Sequence, residues 1–252
     1  MSRVRLDRLL VERGFAETRS KAQALLMAGH VRVGAGDGGR TDRKPGELVA
    51  GDVAIHVIKP APFVSRGGEK LVGALDAFGV DPRGRVCLDV GASTGGFTDA
   101  LLQRGATRVY ALDVGRGQLA ESLRGDARVV SLERTHARRL DPADPAAIAI
   151  PDPVTLAVID VSFISLTRVL APVVAAVQPG AEIVALVKPQ FEAGPKDVPK
   201  GVVRDAAVQV AAIARVRAYA EGLGLTVTGE IESPLVGPSG NHEWFLHLRV
   251  PA

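Results

Sequence analysis

Hydrophobic positions change their spacing along the chain. In VRLDRLLVERG, Val4, Leu6, Leu9 and Leu10 recur at helical intervals, and Gly14 supplies the stop. Thr18 or Ser20 caps a second predicted helix, SKAQALLMAG, closed by Gly29. HVRVGAG then alternates, a polar glycine-rich turn follows, and ELVAGDVAIHVI continues as further strand, giving the order α-α-β-turn-β-β. Residues 1–58 therefore read as a small α+β domain. Prolines and glycines in KPAPFVSRGG mark a linker over 59–66, and GEKLVGALDAFG opens a second domain, 67–252, as a helix. From Arg85 onward, near-continuous apolar runs alternate with helical stretches. The strands are VCLDV (86–90), RVYALDV (108–114), RVVSL (128–132), VTLAVIDV (154–161) and EIVALV (182–187). Between and after them lie GGFTDALLQRG, SFISLTRVLAPVVAAVQ and DAAVQVAAIARVRAYAEGLG as helices. Such strands suit a parallel sheet buried on both faces. The last two strands, LTVTGEIESP and HEWFLHLRV, are joined by a loop too short for a helical crossover, so they pair antiparallel. The predicted class is α/β: a doubly wound, Rossmann-like sheet with an antiparallel end, plus the small N-terminal domain.

Composition narrows the function classes. At 252 residues, with 46% hydrophobic and 23% charged residues, the chain is ordinary globular protein, not a disordered one. The single cysteine, Cys87, excludes an intramolecular disulfide and a cysteine metal cluster, and the five histidines lack metal-ligand spacing, so no metal is expected. No run approaches the ~18 apolar residues of a membrane span, and MSRVRLDRLL lacks the apolar stretch of a secretory signal. A cytoplasmic location and no membrane partner are the expectation. Charge is uneven: residues 1–60 hold 11 Lys/Arg against 7 Asp/Glu, the remaining 192 hold 20 against 21. The basic side chains Arg3, Arg5, Arg8, Arg19, Lys21 and Arg32 gather around the first helix pair, as in a nucleic-acid-binding module, although a merely solvated surface would carry the same bias.

The strand–turn–helix LDVGASTGGFTDALLQRG places Gly91, Gly95 and Gly96 where a backbone can approach a ligand closely. Its G-x-x-x-G-G spacing is neither the dinucleotide fingerprint nor a P-loop. Asp113 ends the next strand, 22 residues after Gly91, where an acid accepts hydrogen bonds from ribose hydroxyls. Loop and acid together predict an adenosine-bearing ligand.

In order along the chain, DVGASTGGFTDALL, DVSFISL, LVKPQFE and SPLVGPSGNHEWF resemble the hallmarks of the FtsJ-like RNA methyltransferases. More narrowly they resemble the TlyA (hemolysin A) family of ribosomal RNA ribose methyltransferases. RLDRLLVERGFAETRSKAQALLMAGHVRV is similar to the small RNA-binding domain first described in ribosomal protein S-four, and VSRGGEKL to the family's linker and first catalytic helix. The resemblance implies an S-adenosylmethionine cofactor, 2′-O-methylation of cytidines in ribosomal RNA or subunits, and a Lys-Asp-Lys-Glu tetrad. The matching positions are Lys70, Asp160, Lys188 and Glu243. For the cofactor they are Gly91, Ala92, Ser93, Gly95, Gly96, Phe97, Asp113 and His136, with Asp160 beside the methionine end; Arg66 joins the RNA-binding set. His136 stands in ERTHAR where the family usually has Asn, and Ala61, Pro62 and Phe63 depart from its linker pattern.

The chemistry asks for such a set. A ribose 2′-hydroxyl must lose its proton as it attacks a methyl group, and a buried Lys serves as base or as an orienting cation; Lys188 is the candidate for either role. Asp160 pairs with the lysines and faces the sulfonium, while Lys70 and Glu243 balance charge and hold the ribose. Phe163 and Phe191 are candidates for stacking or core, and Ser239 and Asn241 for a loop over the ribose or a plain turn. The rival readings are a membrane-active hemolysin, a nonenzymatic ribosomal RNA assembly factor, and a nicotinamide oxidoreductase.

Overall fold

The structure, a computed structural model, describes residues 3–35, 39–58 and 61–252. Lys59 and Pro60 of the expected linker, and Gly36, Asp37 and Gly38 of the glycine-rich turn, lie outside the described residues. The chain divides into two compact units, Met1–Ala61 and Pro62–Ala252.

The first unit runs β1 (Arg3–Arg5), α1 (Leu6–Glu12), α2 (Arg19–Met27), β2 (Val31–Val33), β3 (Leu48–Ala50) and β4 (Ile55–Val57). β1 pairs antiparallel with β3, and β2 with β4. Leu6, Leu9, Leu10, Ala22, Leu26, Val31, Val49 and Ile55 form its core. One expectation needs correction. Val4 is not helical: it sits opposite Val49 in the β1–β3 pair, so the helix starts at Leu6. The two strands expected after the glycine-rich turn are β3 and β4: the chain turns between them at Gly51–Asp52 and sends them to different partners.

The second unit begins with α3 (Arg66–Phe78), capped by the Ser65 hydroxyl, which accepts from Gly67 N–H, and stopped by left-handed Gly79. Then come β5 (Val86–Val90), α4 (Gly96–Gln103), β6 (Arg108–Leu112), α5 (Glu121–Arg124), β7 (Val129–Leu132), β8 (Leu156–Ile159), α6 (Leu170–Ala176), β9 (Glu182–Val187), α7 (Pro189–Glu192), α8 (Ala206–Gly222), β10 (Thr226–Glu232) and β11 (Trp244–Arg249). The sheet order is β10-β11-β9-β8-β5-β6-β7, with β5 to β9 parallel and β11 antiparallel to both its neighbours. Alternation along the strands feeds two cores: Leu88 and Val90 face the layer with α6 and α8, and Cys87 the layer with α3 and α4. Residues 162–178 do not form one helix. Pro172 lacks the N–H that would bond to the Arg168 carbonyl, so a short 3₁₀ turn at Leu166–Arg168 precedes α6, and 160–165 is a loop that bends at Phe163 and Ile164. Among the described residues no helix is long and apolar enough to cross a membrane.

Candidate active site

Parallel strands end at one edge of the sheet, and the loops beyond β5, β6, β8 and β9 build two clefts there. Beyond β5, Gly91 turns at φ +89°, and a Cβ at this position would collide with the Asp160 carbonyl. Only glycine lets this turn pass against the end of β8. Ser93 also lies in the left-handed region. Its N–H donates to Asp113 Oδ2 at 2.8 Å, and Gly115 N–H donates to Asp113 Oδ1 at 2.7 Å. The carboxylate just beyond β6 is thus fixed at the rim, and each oxygen keeps a lone pair for a ligand hydroxyl. The first cleft, about 340 Å³, is lined by Gly91, Ser93, Asp113, His136 and Asp160, with apolar walls from Val90, Leu112, Ile164 and Val169. His136 Nδ1 accepts from Arg138 N–H at 3.1 Å, so a neutral ring carries its proton on Nε2.

The second cleft, about 470 Å³, brings together Lys70 on α3, Asp160 beyond β8, Lys188 beyond β9 and Glu243 before β11. They form two ion pairs. Lys70 Nζ donates to Glu243 Oε2 at 2.5 Å, both buried. Lys188 Nζ lies 2.5 Å from Asp160 Oδ1 and donates to Ser162 Oγ at 3.0 Å. Each lysine carries its own counter-charge, so these four residues are together close to neutral before any ligand enters. Ala92, Gly96, Phe97 and Arg66 line the same cleft. Gly96 permits the close crossing of α3 and α4, since a Cβ there would strike Ser65 Oγ. Gly91, Ser93 and Asp160 border both clefts, which places Asp160 at their junction.

Not every expected residue sits in a cleft. Gly95 begins α4 at φ +96° and backs onto Leu119 and Leu123. Phe97 lines the cleft with an edge but is 3% exposed and packs on Phe245, so most of its ring is core. Asn241 is a buried tie, with Oδ1 accepting from Val203 N–H and Nδ2 donating to the Gly201 carbonyl, both at 2.9 Å. At 2% exposure its amide ties the loop to the chain, while Pro238 of the same loop lines the second cleft. The sequence reading missed Ser65, Thr94 and Pro238 in the second cleft and Gln118, Ser162 and Ile164 in the first. Ser162 had a signal, its place two residues after Asp160 on the same loop; Gln118 and Pro238 arrive by folding alone.

In the first unit, Arg3 and Arg5 lie on β1, Arg8 on α1, Arg19 and Lys21 on α2, and Arg32 on β2. Arg5 and Arg19 both reach fully buried Asp7: Arg5 through Nε at 3.2 Å and Nη2 at 3.0 Å, Arg19 through Nε at 2.9 Å. Arg8 pairs with Glu12 at 2.8 Å, and Lys21 with Glu17.

Sequence comparison gives this geometry its family. A profile of FtsJ-like methyltransferases matches residues 63–250, which contain all four clustered residues. The chain belongs to the FtsJ-like methyltransferase family. An S4 domain profile matches residues 4–34. This FtsJ-like chain is 50% identical over 251 residues to "16S/23S rRNA (cytidine-2'-O)-methyltransferase TlyA" of Mycobacterium tuberculosis, spanning 98% of this chain and 90% of that one. It is 40% identical over 249 residues to "Hemolysin A" of Brachyspira hyodysenteriae, spanning 98% of this chain and 100% of the relative. A solved Streptococcus thermophilus structure described as a hemolysin superposes with TM-score 0.72 at 40% identity, over 100% of this chain and 90% of that one.

Proposed function

We propose that this FtsJ-like enzyme transfers the methyl group of S-adenosylmethionine to ribose 2′-hydroxyls of cytidines in ribosomal RNA, in the cytoplasm. The observation that carries the reading is the position of Asp160, shared between a nucleoside-sized cleft and a cleft holding two Lys–carboxylate pairs.

The first cleft fits the cofactor by its donor set. Asp113 offers acceptors to ribose hydroxyls, His136 offers Nε2–H to a ring nitrogen, and the apolar walls cover an aromatic base. Asp160 supplies negative charge for a sulfonium. When bound, S-adenosylmethionine supplies an electrophilic methyl group. The chain's own residues do the rest. Lys188 donates one N–H to Ser162 and lies against Asp160 as an ion pair, which leaves an N–H for a hydroxyl oxygen in the second cleft. As the 2′-oxygen is methylated it releases its proton to the Asp160 carboxylate, since Lys188, with three N–H bonds, has no lone pair to accept it. Lys70, neutralised by Glu243, holds the sugar without adding net charge. Arg3, Arg5, Arg8, Arg19, Lys21 and Arg32 on the first unit, and Arg66 on the second, grip phosphates.

The test is transfer of labelled methyl from S-adenosylmethionine to ribosomal RNA of an unmodified strain, as naked RNA and as isolated subunits, with nuclease mapping. A 2′-O-methylated cytidine is expected, and Lys188→Met is expected to lower the rate by ~10²-fold or more while cofactor affinity stays near wild type. Cofactor binding without incorporation into any of these RNAs would refute the proposed substrate. Near-normal turnover of Lys188→Met would refute the role given to that lysine.

A further inference from the structure

The segments that carry Asp160 and Lys188 leave adjacent parallel strands, and they are bridged at three successive places along the chain. First comes the Asp160–Lys188 ion pair. Next, the rings of Phe163 and Phe191 meet at a centroid distance of 5.2 Å, tilted by 49°. Last, the Ser165 hydroxyl donates to Glu192 Oε2 at 2.6 Å and the Leu166 N–H donates to Glu192 Oε1 at 2.7 Å. Glu192 is 4% exposed, and its own carbonyl accepts from Arg215 Nη1 of α8 at 2.6 Å. Both of its carboxylate oxygens are thus spent on the loop that begins at Asp160.

That loop needs holding. Phe163 is 91% exposed and has φ +64°, a left-handed conformation that strains a bulky L-residue. Neither burial nor local backbone preference favours it there. What fixes the loop are its contacts with the 188–192 segment, and Glu192 supplies the two hydrogen bonds that tie the loop's far end to it.

We propose that Glu192 is a positioning residue for methyl transfer: it clamps the 160–166 loop so that Asp160 stays against Lys188 and Phe163 keeps its strained place on the wall of the cofactor cleft. The proposal rests on the reaction proposed above for its rate readout, but not for its structural one.

The full chain is compared with Glu192→Ala, Glu192→Gln, Phe163→Gly and the double variant Phe163→Gly/Glu192→Ala. Three quantities are read: hydrogen exchange at the Leu166 amide, affinity for S-adenosylmethionine, and single-turnover methyl transfer. In Glu192→Ala, the Leu166 amide loses protection, cofactor affinity falls, and transfer slows by about 10–100-fold, the scale of a misplaced catalytic group. Glu192→Gln keeps an acceptor for Leu166 and restores all three. Glycine adopts φ near +64° without strain, so removing Glu192 costs less in the Phe163→Gly background than in the wild type. Should Glu192→Ala fail to fold, Ser165→Ala removes one of the two hydrogen bonds and slows transfer in the same direction. Lost Leu166 protection with unchanged affinity and rate, or an equal penalty in both backgrounds, overturns the proposal. If the wild type methylates no ribosomal RNA, the reaction is wrong, and Leu166 protection and cofactor affinity still decide the clamp.

Discussion

Asp89, two residues before the Gly91 turn, is fully buried. One of its carboxylate oxygens accepts from the Thr98 hydroxyl at 2.6 Å, and the other has no hydrogen-bond partner among the described residues. Burial above all, with the negative charge of Asp160, pushes this carboxyl up to about 7 against the opposing pull of the Thr98 hydrogen bond. The folded state therefore holds a proton that the unfolded chain releases near ~4. Between those values the fold binds more protons than the unfolded chain, so stability falls as pH rises from about 4 to about 7. Asp89→Asn, which keeps an acceptor for Thr98, is expected to flatten that slope. Thermal melts at steps from pH 5 to 8 measure it, and equal slopes in both proteins would show that Asp89 does not titrate in this range. The motif around Asp89 was legible as a glycine turn. The role of the acid was not, because only burial between sheet and α4 makes its charge costly.

Elements were legible where burial on both faces sets the pattern. β5 and β9 have the bounds read from their apolar runs, since both faces are covered and nothing alternates. The reading failed where tertiary contacts overrode local spacing. Val4 fits a helical stripe with Leu6, Leu9 and Leu10 but is taken by the β1–β3 pair, and 162–178 looks helical until Pro172 is asked for a missing N–H. The α1–α2 pair has its own tie. Arg5 above all, then Gln23 and Arg19, hydrogen-bond to Asp7 and hold its carboxyl well below the usual range, against the opposing cost of burial. A depressed carboxyl stabilises the fold above its unfolded value near ~4, and that contribution is lost as pH falls through the folded value. Asp7→Asn is expected to cost the first unit about 2 kcal/mol at neutral pH, the scale of charge-assisted hydrogen bonds, and to weaken RNA binding by releasing two arginines. Urea unfolding followed at Leu9 and Leu26 amides, with RNA titrations beside it, measures both. An unchanged midpoint would show that the exposed arginines gain little from Asp7.

At the scale of the molecule, the sequence carried the four clustered residues only through ordered motifs. Lys70 and Glu243 are 173 positions apart, and no spacing rule predicts their 2.5 Å contact. It arises because α3 packs against α4 and β10 while β11 inserts antiparallel between β9 and β10. The division into two units has a matching physical basis. The core of the first unit is drawn from Leu6 to Ile55, the two cores of the second from Leu71 to Val250, and no buried residue is shared. Each unit therefore has its own hydrophobic stabilisation. Both clefts and both ion pairs belong to the second unit, whereas the positive excess of the chain lies in residues 1–60. A fragment of residues 62–252 is accordingly expected to fold and to bind S-adenosylmethionine as the full chain does. Its affinity for ribosomal RNA should drop by about tenfold or more, with a shallower dependence on salt, because fewer phosphates are neutralised. Calorimetry with the cofactor and filter binding with RNA across a salt series test this. Undiminished RNA affinity with the same salt slope would assign the RNA grip to the second unit, around Arg66, and leave the first unit without the role proposed for it.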